Sequence, residues 1–418
     1  MRLAILVCLS ALSALPCSAQ SAEPVAQEAP MLRLTEREAL ARFLTGNPRI
    51  RALNARIDGI RATQAERTLW PNPSATFSRE SVLGAHDTFL LARQELPISG
   101  RRGRLQTAGR LAVDAAQAEA QLERVQLQAE VREAYAALLL AQQREEALQG
   151  SIRALEKLIG VLRTREEGGE GSTYDRMRGQ RALIDLEAER SLTAGDRVRA
   201  QGWLASYLGP GTTPEHLVAA DSLTATVPPA PPLPALLEQA VANRGDYRAA
   251  ELSIARFEAE RSAATRLQIP IPTLSGGLKR SDLGGTTSSG YQVSVDLSIP
   301  VFSRGQAATA LATAQKARAQ AEAESWRLQI EAEVRAAYNI ARIQQERVTR
   351  YQESAAAVAE PLAQIGRVGY EEGELSILEL LDADRQALDA RLRILDLAAA
   401  ARRAAIELDR AIGRDFRP

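Results

Sequence analysis

One stretch, from Gly290 to about Ser376, limits what this chain can fold into. It opens Gly290-Tyr-Gln-Val-Ser-Val-Asp-Leu-Ser-Ile-Pro300. Tyr291, Val293, Val295, Leu297 and Ile299 alternate with Gln292, Ser294, Asp296 and Ser298. That is the period-two pattern of a strand with one apolar face. Pro300 ends it and Ser303-Arg304-Gly305 turns the chain. A run dominated by Ala, Glu, Gln, Arg and Leu follows, with no proline before Pro361. Roughly sixty such residues predict a helix on the order of 90 Å long, three times the width of a small domain. A short amphipathic strand feeding a helix of that length does not belong to a compact core.

The same plan is written twice. Pro71-Asn72-Pro73-Ser74 recurs as Pro270-Ile271-Pro272-Thr273, and Leu96-Pro97-Ile98 as Ile299-Pro300-Val301, with Arg101 matching Arg304. Val131-Arg-Glu-Ala-Tyr135 recurs as Val334-Arg-Ala-Ala-Tyr338, and Gly169-Glu-Gly-Ser172 as Gly373-Glu-Leu-Ser376. The expected organisation is a leader at 1–19, a first repeat at 20–227, a proline-rich linker at 228–234 and a second repeat at 235–418. Each repeat holds a leading helix (Thr35 to Leu69, Leu233 to Leu267), a β-hairpin (73–98, 271–300), a very long helix and a return helix. The long helices are expected over Arg104 to about Glu166 and Gln306 to about Ile365. The return helices are expected over Tyr174 to Leu208 and Ser376 to about Ile412. Leu105, Ala108, Ala112, Ala115, Ala118, Leu122, Val125 and Ala129 make one helical stripe, and Ala307, Ala310, Ala314, Ala317, Ala321, Leu328 and Ala332 another. In the second hairpin, Gly284 to Gly290 reads as the turn.

The first residues read as an export signal: Arg2, an apolar run from Leu3 to Leu15, and a small-residue cleavage site at Cys17-Ser18-Ala19. Cys8 and Cys17 are the only cysteines, so a processed chain carries no thiol, disulfide or cysteine metal site. His86 and His216 are the only histidines, and no metal-ligand cluster, phosphate loop or nucleophile elbow is present. No cofactor is implied and the chain does not read as an enzyme. Zero formal net charge argues against a nucleic-acid partner. No stretch is apolar and long enough for a membrane-spanning helix, but strands of nine or ten residues can cross a bilayer when tilted.

Four such strands cannot close a barrel, because the smallest closed membrane barrels have eight, and lipid does not tolerate an open sheet edge. Copies must share one barrel. Three copies give twelve strands, and the same rotation closes the long helices into a tube. The fold class expected is an α+β membrane protein: a long α-helical coiled-coil periplasmic barrel joined to a trimeric 12-stranded β-barrel, four strands per protomer, with an internal two-fold sequence repeat.

At the segment Gly369-Tyr-Glu-Glu-Gly373-Glu-Leu-Ser376-Ile-Leu-Glu379-Leu-Leu-Asp382-Ala383, together with the duplicated plan and the proline-closed strands, the chain resembles the TolC-like outer-membrane efflux proteins. In length it is similar to their heavy-metal (CzcC-like) branch. The resemblance implies a homotrimer in outer-membrane lipid that docks a periplasmic adaptor and an inner-membrane efflux pump. It implies an acidic pore aperture at Glu379 and Asp382, with Asp175 opposite Glu379. It implies adaptor docking at Gly366, Gly369, Gly373 and Ser376, with Gly169, Gly171 and Ser172. Read from the residues alone, the acids are equally first-turn helix residues favoured by the helix dipole, and the glycines are turn residues able to take positive φ. Arg101 and Arg304, just below the barrel, either meet lipid phosphates or simply begin helices. The cargo expected from the resemblance is a cation or heavy metal, with drug efflux or type I secretion as alternatives. A periplasmic coiled-coil scaffold accounts for the helices but not for the duplicated strands.

Overall fold

The computed structural model describes residues 31–223, 230–283 and 285–414. The leader expected at 1–19 and the first two residues of the linker at 228–234 lie outside them. The chain begins with β1 (Leu32–Leu34), α1 (Glu36–Gly46) and α2 (Pro48–Glu66). A hairpin of β2 (Ser74–Val82) and β3 (Ala85–Glu95) leads into α3 (Arg101–Glu167), 67 residues long, and α4 (Thr173–Leu208) returns. After β4 (Leu217–Ala219) come α5 (Leu233–Asn243), α6 (Gly245–Thr265), and a second hairpin, β5 (Pro272–Leu283) and β6 (Thr286–Leu297). α7 (Gln306–Tyr351) continues through one π turn (Gln352–Ala356) into α8 (Ala357–Glu371), and α9 (Ile377–Ala411) returns. Mostly helix with one small sheet and one strand pair, this is the long-helix architecture that the sequence predicts.

Each leading helix is broken in two, where the sequence predicts one. Asn47 precedes Pro48, and a residue before proline is pushed from the helical to the extended region; its ψ is 131°. Its side chain caps α2 by accepting from Arg49 N–H, and its Nδ2 donates to the Tyr207 carbonyl at 2.7 Å. The second break has no proline. Arg244 sits there with ψ 120°, buried, gripping Asp246 through Nη2 at 2.6 Å and Glu333 through Nη1 at 2.7 Å. Nη1 also reaches the Ala411 carbonyl at 3.2 Å. Both breaks are therefore stitched to the end of a return helix.

The main core lies where α1, α3, α4 and α9 meet the parallel pair β1–β4, around Phe43, Leu138, Leu139, Leu204 and Leu217. The Tyr135 hydroxyl is 2.9 Å from Leu34 O and 2.8 Å from Asp221 Oδ2, and burial pushes its pKa up. Arg132 joins Glu36 at 2.5 Å and Asp409 at 2.9 Å beside it.

The four hairpin strands form an antiparallel sheet in the order β2-β3-β5-β6, so β2 and β6 each keep an unpaired edge. The second hairpin turn is much tighter than Gly284 to Gly290. Thr286 to Gly290 pair with β5 as a continuation of β6, and Gly285 turns at φ +91°. In the first turn Leu83 and Gly84 both have positive φ, 47° and 84°, as the mirror-image two-residue hairpin turn requires.

Above the core, α2 packs on α3, α3 on α6 and α6 on α7, the same order as the strands they adjoin. On α3 the predicted stripe is buried except for half-buried Leu122. On α7 it is not. Ala307, Ala310, Ala314, Ala317, Ala321, Leu328 and Ala332 are all exposed, and the buried residues are instead Ala312, Ala319, Ala323, Ile330, Val334 and Ala337. The two stripes are offset by two positions, about 200° around the helix. α7 thus has a second seam on its far side that nothing among the described residues covers.

Candidate functional site

The two helical turnarounds, Gly168–Ser172 and Glu372–Ser376, are built alike. Gly169 (φ +79°) donates to Glu166 O while Glu170 N–H reaches Arg165 O. Gly373 (φ +80°) donates to Tyr370 O while Glu374 N–H reaches Gly369 O. Each pair satisfies the orphan carbonyls at a helix end in the left-handed glycine motif. Three residues later a serine caps the return helix: Ser172 accepts from Tyr174 N–H and Ser376 from Glu379 N–H. Gly-Glu-x-Ser is therefore a structural code, glycine to stop one helix and serine to start the next.

Of the tip glycines expected at positive φ, Gly373 has it. Gly366 and Gly369 are helical and buried. Their value is space: a Cβ on Gly369 would stand 2.7 Å from Leu375 Cδ1, and one on Gly366 3.1 Å from Ala383 Cβ. Gly171 is likewise a close approach, 2.6 Å from Glu166 N, whereas Gly169 has open space. Gly169, Gly171, Ser172, Gly373 and Ser376 are exposed.

The acidic candidates divide in the same way. Glu379 closes a capping box, its Oε2 accepting from Ser376 N–H and from the Ser376 hydroxyl, each at 2.8 Å. Those bonds hold its carboxyl below the usual range. Asp382 is exposed and accepts from Gln386 Nε2 at 2.7 Å. Both line a groove of about 560 Å³ between α9 and α4, opposite Arg178 and Arg181. Asp175, in the first turn of α4, is half-buried and lies outside that groove, beside Tyr370. The first tip is laced by Glu166, which takes Arg176 Nε at 2.5 Å and the Thr173 hydroxyl at 2.7 Å and has its pKa lowered by both.

The tip caps are acid-sensitive with a definite sign. The folded pKa values of Glu166 and Glu379 lie below the free value of 4.5, so both laces are complete above it and are lost as pH falls through the lowered folded values. Protection of the amides at 173–176 and 377–380, taken relative to the intrinsic exchange rate at each pH, should therefore fall on going from pH 7 to pH 3. At neutral pH Ser376→Ala should speed exchange at 377–380 about fivefold, equivalent to about 1 kcal/mol.

Behind the tip, sequence reading missed a layer of interhelical ion pairs. Arg367 meets Asp384 at 2.8 Å, Arg391 meets Glu360 at 2.7 Å and Arg385 meets Glu189 at 3.0 Å, around a cavity of about 500 Å³. The partners are 17 to 196 residues apart, so no local spacing announces them. Among the described residues, no cluster of His, Cys, Asp or Glu is placed to hold a metal ion, and no helix is long and apolar enough to cross a membrane.

Residues 236–414 match the family described as "Outer membrane efflux protein". The chain is 24% identical over 383 residues to the cobalt-zinc-cadmium resistance protein CzcC of Cupriavidus metallidurans, covering 91% of this chain and 90% of that protein. It is 28% identical over 321 residues to the nickel-cobalt-cadmium resistance protein NccC of Alcaligenes xylosoxydans xylosoxydans, covering 75% and 70%. Among solved structures, the outer-membrane channel OprN superposes with a TM-score of 0.70 at 24% identity, over 92% of this chain and 91% of that one. The C-terminal part thus matches the outer membrane efflux protein family, and the chain as a whole is similar to metal-resistance proteins along most of its length and shares its fold with a solved outer-membrane channel.

Proposed function

We propose that three copies of this outer-membrane efflux protein close into one duct, with a twelve-stranded barrel in the membrane and an α-helical tube in the periplasm. The observation that carries this is the sheet. Its edges β2 and β6 are unpaired, and one face presents Phe77, Leu90, Leu278 and Tyr291 in a single cross-strand row, followed by Ala75, Ala92, Gly276 and Val293. Phe77, Leu90, Leu278 and Tyr291 are 53 to 85% exposed. Such a face needs lipid and such edges need each other. The uncovered α7 seam adds an independent reason, since α7 and α2 are the outer helices of the row and a ring sets one against the other.

The relatives' names, which speak of resistance to cobalt, zinc, cadmium and nickel, favour divalent heavy-metal cations as cargo; a periplasmic adaptor and an inner-membrane pump would hand them over. The exposed tip residues Gly169, Gly171, Ser172, Gly373 and Ser376 would meet the adaptor, while Gly366 and Gly369 act behind them by letting Leu375 and Ala383 approach. Asp382 is the acid available to face cations, and Glu379 chiefly holds the tip.

Planar-bilayer recording with crosslinking tests this reading. Crosslinked trimers and discrete conductance are expected, and a monomeric, non-conducting protein overturns it. Asp382→Ala should lower cation preference on the order of tenfold. Glu379→Ala should alter it less and loosen the tip more. Equal selectivity in all three proteins removes the acids from the aperture.

A further inference from the structure

The apolar face of the sheet ends in a polar row. Directly beyond Phe77, Leu90, Leu278 and Tyr291, toward the hairpin turns, Arg79, Thr88, Arg280 and Ser289 pair across the four strands. Paired and alternate residues share a face, so two guanidinium groups and two hydroxyls border the apolar band. Both arginines are exposed. Arg280 has one loose partner, Asp282, at 3.8 Å. Arg79 forms no ion pair or hydrogen bond among the described residues. The row is not flat. A groove of about 510 Å³ runs over β3, β5 and β6, with Leu90, Leu278 and Tyr291 as its floor and Thr88, Arg280 and Ser289 at its polar end.

An apolar floor closed by a cationic, hydroxyl-lined end is complementary to an acyl chain attached to a phosphorylated headgroup. Arg79 and Arg280 stand two strand spacings apart, roughly 10 Å, so they suit two separate phosphates better than one. Single phosphate contacts at a wet interface are weak, but contacts on one rigid sheet add without further ordering of the protein. In the barrel the hairpin turns point away from the periplasmic helices, so this row lies in the outer leaflet.

We infer that Arg79, Thr88, Arg280 and Ser289 form a lateral binding site for the phosphorylated glycolipid of the outer leaflet. The site rests on the barrel reading. Ringed three times, it would fix the depth of the barrel through the phosphate plane while the acyl chains lie against Leu90, Leu278 and Tyr291.

The test uses the full protein in detergent, with single-channel conductance recorded on each preparation. Binding is measured by native mass spectrometry with three probes: bisphosphorylated lipid A, the same lipid stripped of phosphate, and inorganic phosphate. The wild-type channel should bind the phosphorylated lipid about tenfold more tightly than the stripped one and should ignore inorganic phosphate. Arg79→Gln with Arg280→Gln should remove the preference, and Arg280→Lys should keep part of it. Equal binding of both lipids to wild type, competition by inorganic phosphate, or an undiminished preference in the double variant overturns the site. A conducting wild-type channel with no lipid preference refutes the site alone, and a non-conducting wild type refutes the barrel with it. The comparison of lipids on the wild-type protein decides the matter even where a variant does not assemble.

Discussion

Gly277→Val is expected to abolish assembly of conducting channels. Gly277 lies in β5 opposite Leu91, at the seam joining the two hairpins. A Cβ there would stand 1.9 Å from the Leu90 carbonyl oxygen and 2.8 Å from Leu91 Cα, both backbone atoms that cannot rotate away. The seam runs through ten residue pairs, from His86–Asp282 to Glu95–Thr273, and the strands would have to part. Overpacking with a flexible neighbour costs about 1–3 kcal/mol, and here nothing is flexible. The yield of denaturant-resistant trimers should fall at least about tenfold, which is about 1.4 kcal/mol. Gly276→Ala is the matched control. Its Cβ would meet nothing nearer than Gln292 O at 3.9 Å, and near-normal yield is expected. Normal assembly of Gly277→Val would show that the seam is looser than this geometry.

Arg244→Ala should produce the largest loss of stability among the helices. The guanidinium is 4% exposed and holds Asp246, itself 4% exposed, together with Glu333 and the Ala411 carbonyl. Removing it leaves a buried carboxylate without its partner, which costs about 3–5 kcal/mol. The break between α5 and α6, α7 and the end of α9 all lose their common tie. The unfolding temperature followed by helical circular dichroism should drop sharply. Arg244→Met combined with Asp246→Leu should recover most of the loss, because a buried ion pair is replaceable by apolar residues of similar volume while half of one is not. If the double variant is no better than the single, the ion pair is not what holds these helices.

These two positions also show what could be read from the chain and what could not. The strands were legible because Tyr291 to Ile299 alternate without exception, and the tips because Gly-Glu-x-Ser is both a sequence pattern and a hydrogen-bonding scheme. The break at Asn47 was readable in principle, since Pro48 disfavours a helical residue before it. The break at Arg244 was not. It is held by Asp246 and Glu333, and Glu333 lies 89 residues away. β1 and β4 are three-residue strands about 185 residues apart, too short for a periodic signal. The α7 stripe was correctly periodic, but periodicity names a seam and not its partner. The chain's own α5, α6 and α9 take Ala312 and its companions, and Ala310 and its companions wait for a neighbour. At the acidic positions, residue type alone could not separate Glu379, committed to its own serine, from Asp382, which has no such duty.

The π turn at Gln352–Ala356 ends directly before Ala357, the residue whose carbonyl would have bonded the N–H that Pro361 lacks. A wider turn fits one extra residue into the ladder, and each residue rotates the helix by about 100°. That turn works like a reading-frame correction. It absorbs that residue without changing the phase in which Gly366 and Gly369 meet Ala383 and Leu375, so losing one residue between 352 and 356 would close the bulge into ordinary α-helix and leave those contacts in place. A residue lost elsewhere in α7 or α8 finds no such slack and turns the tip by about 100°.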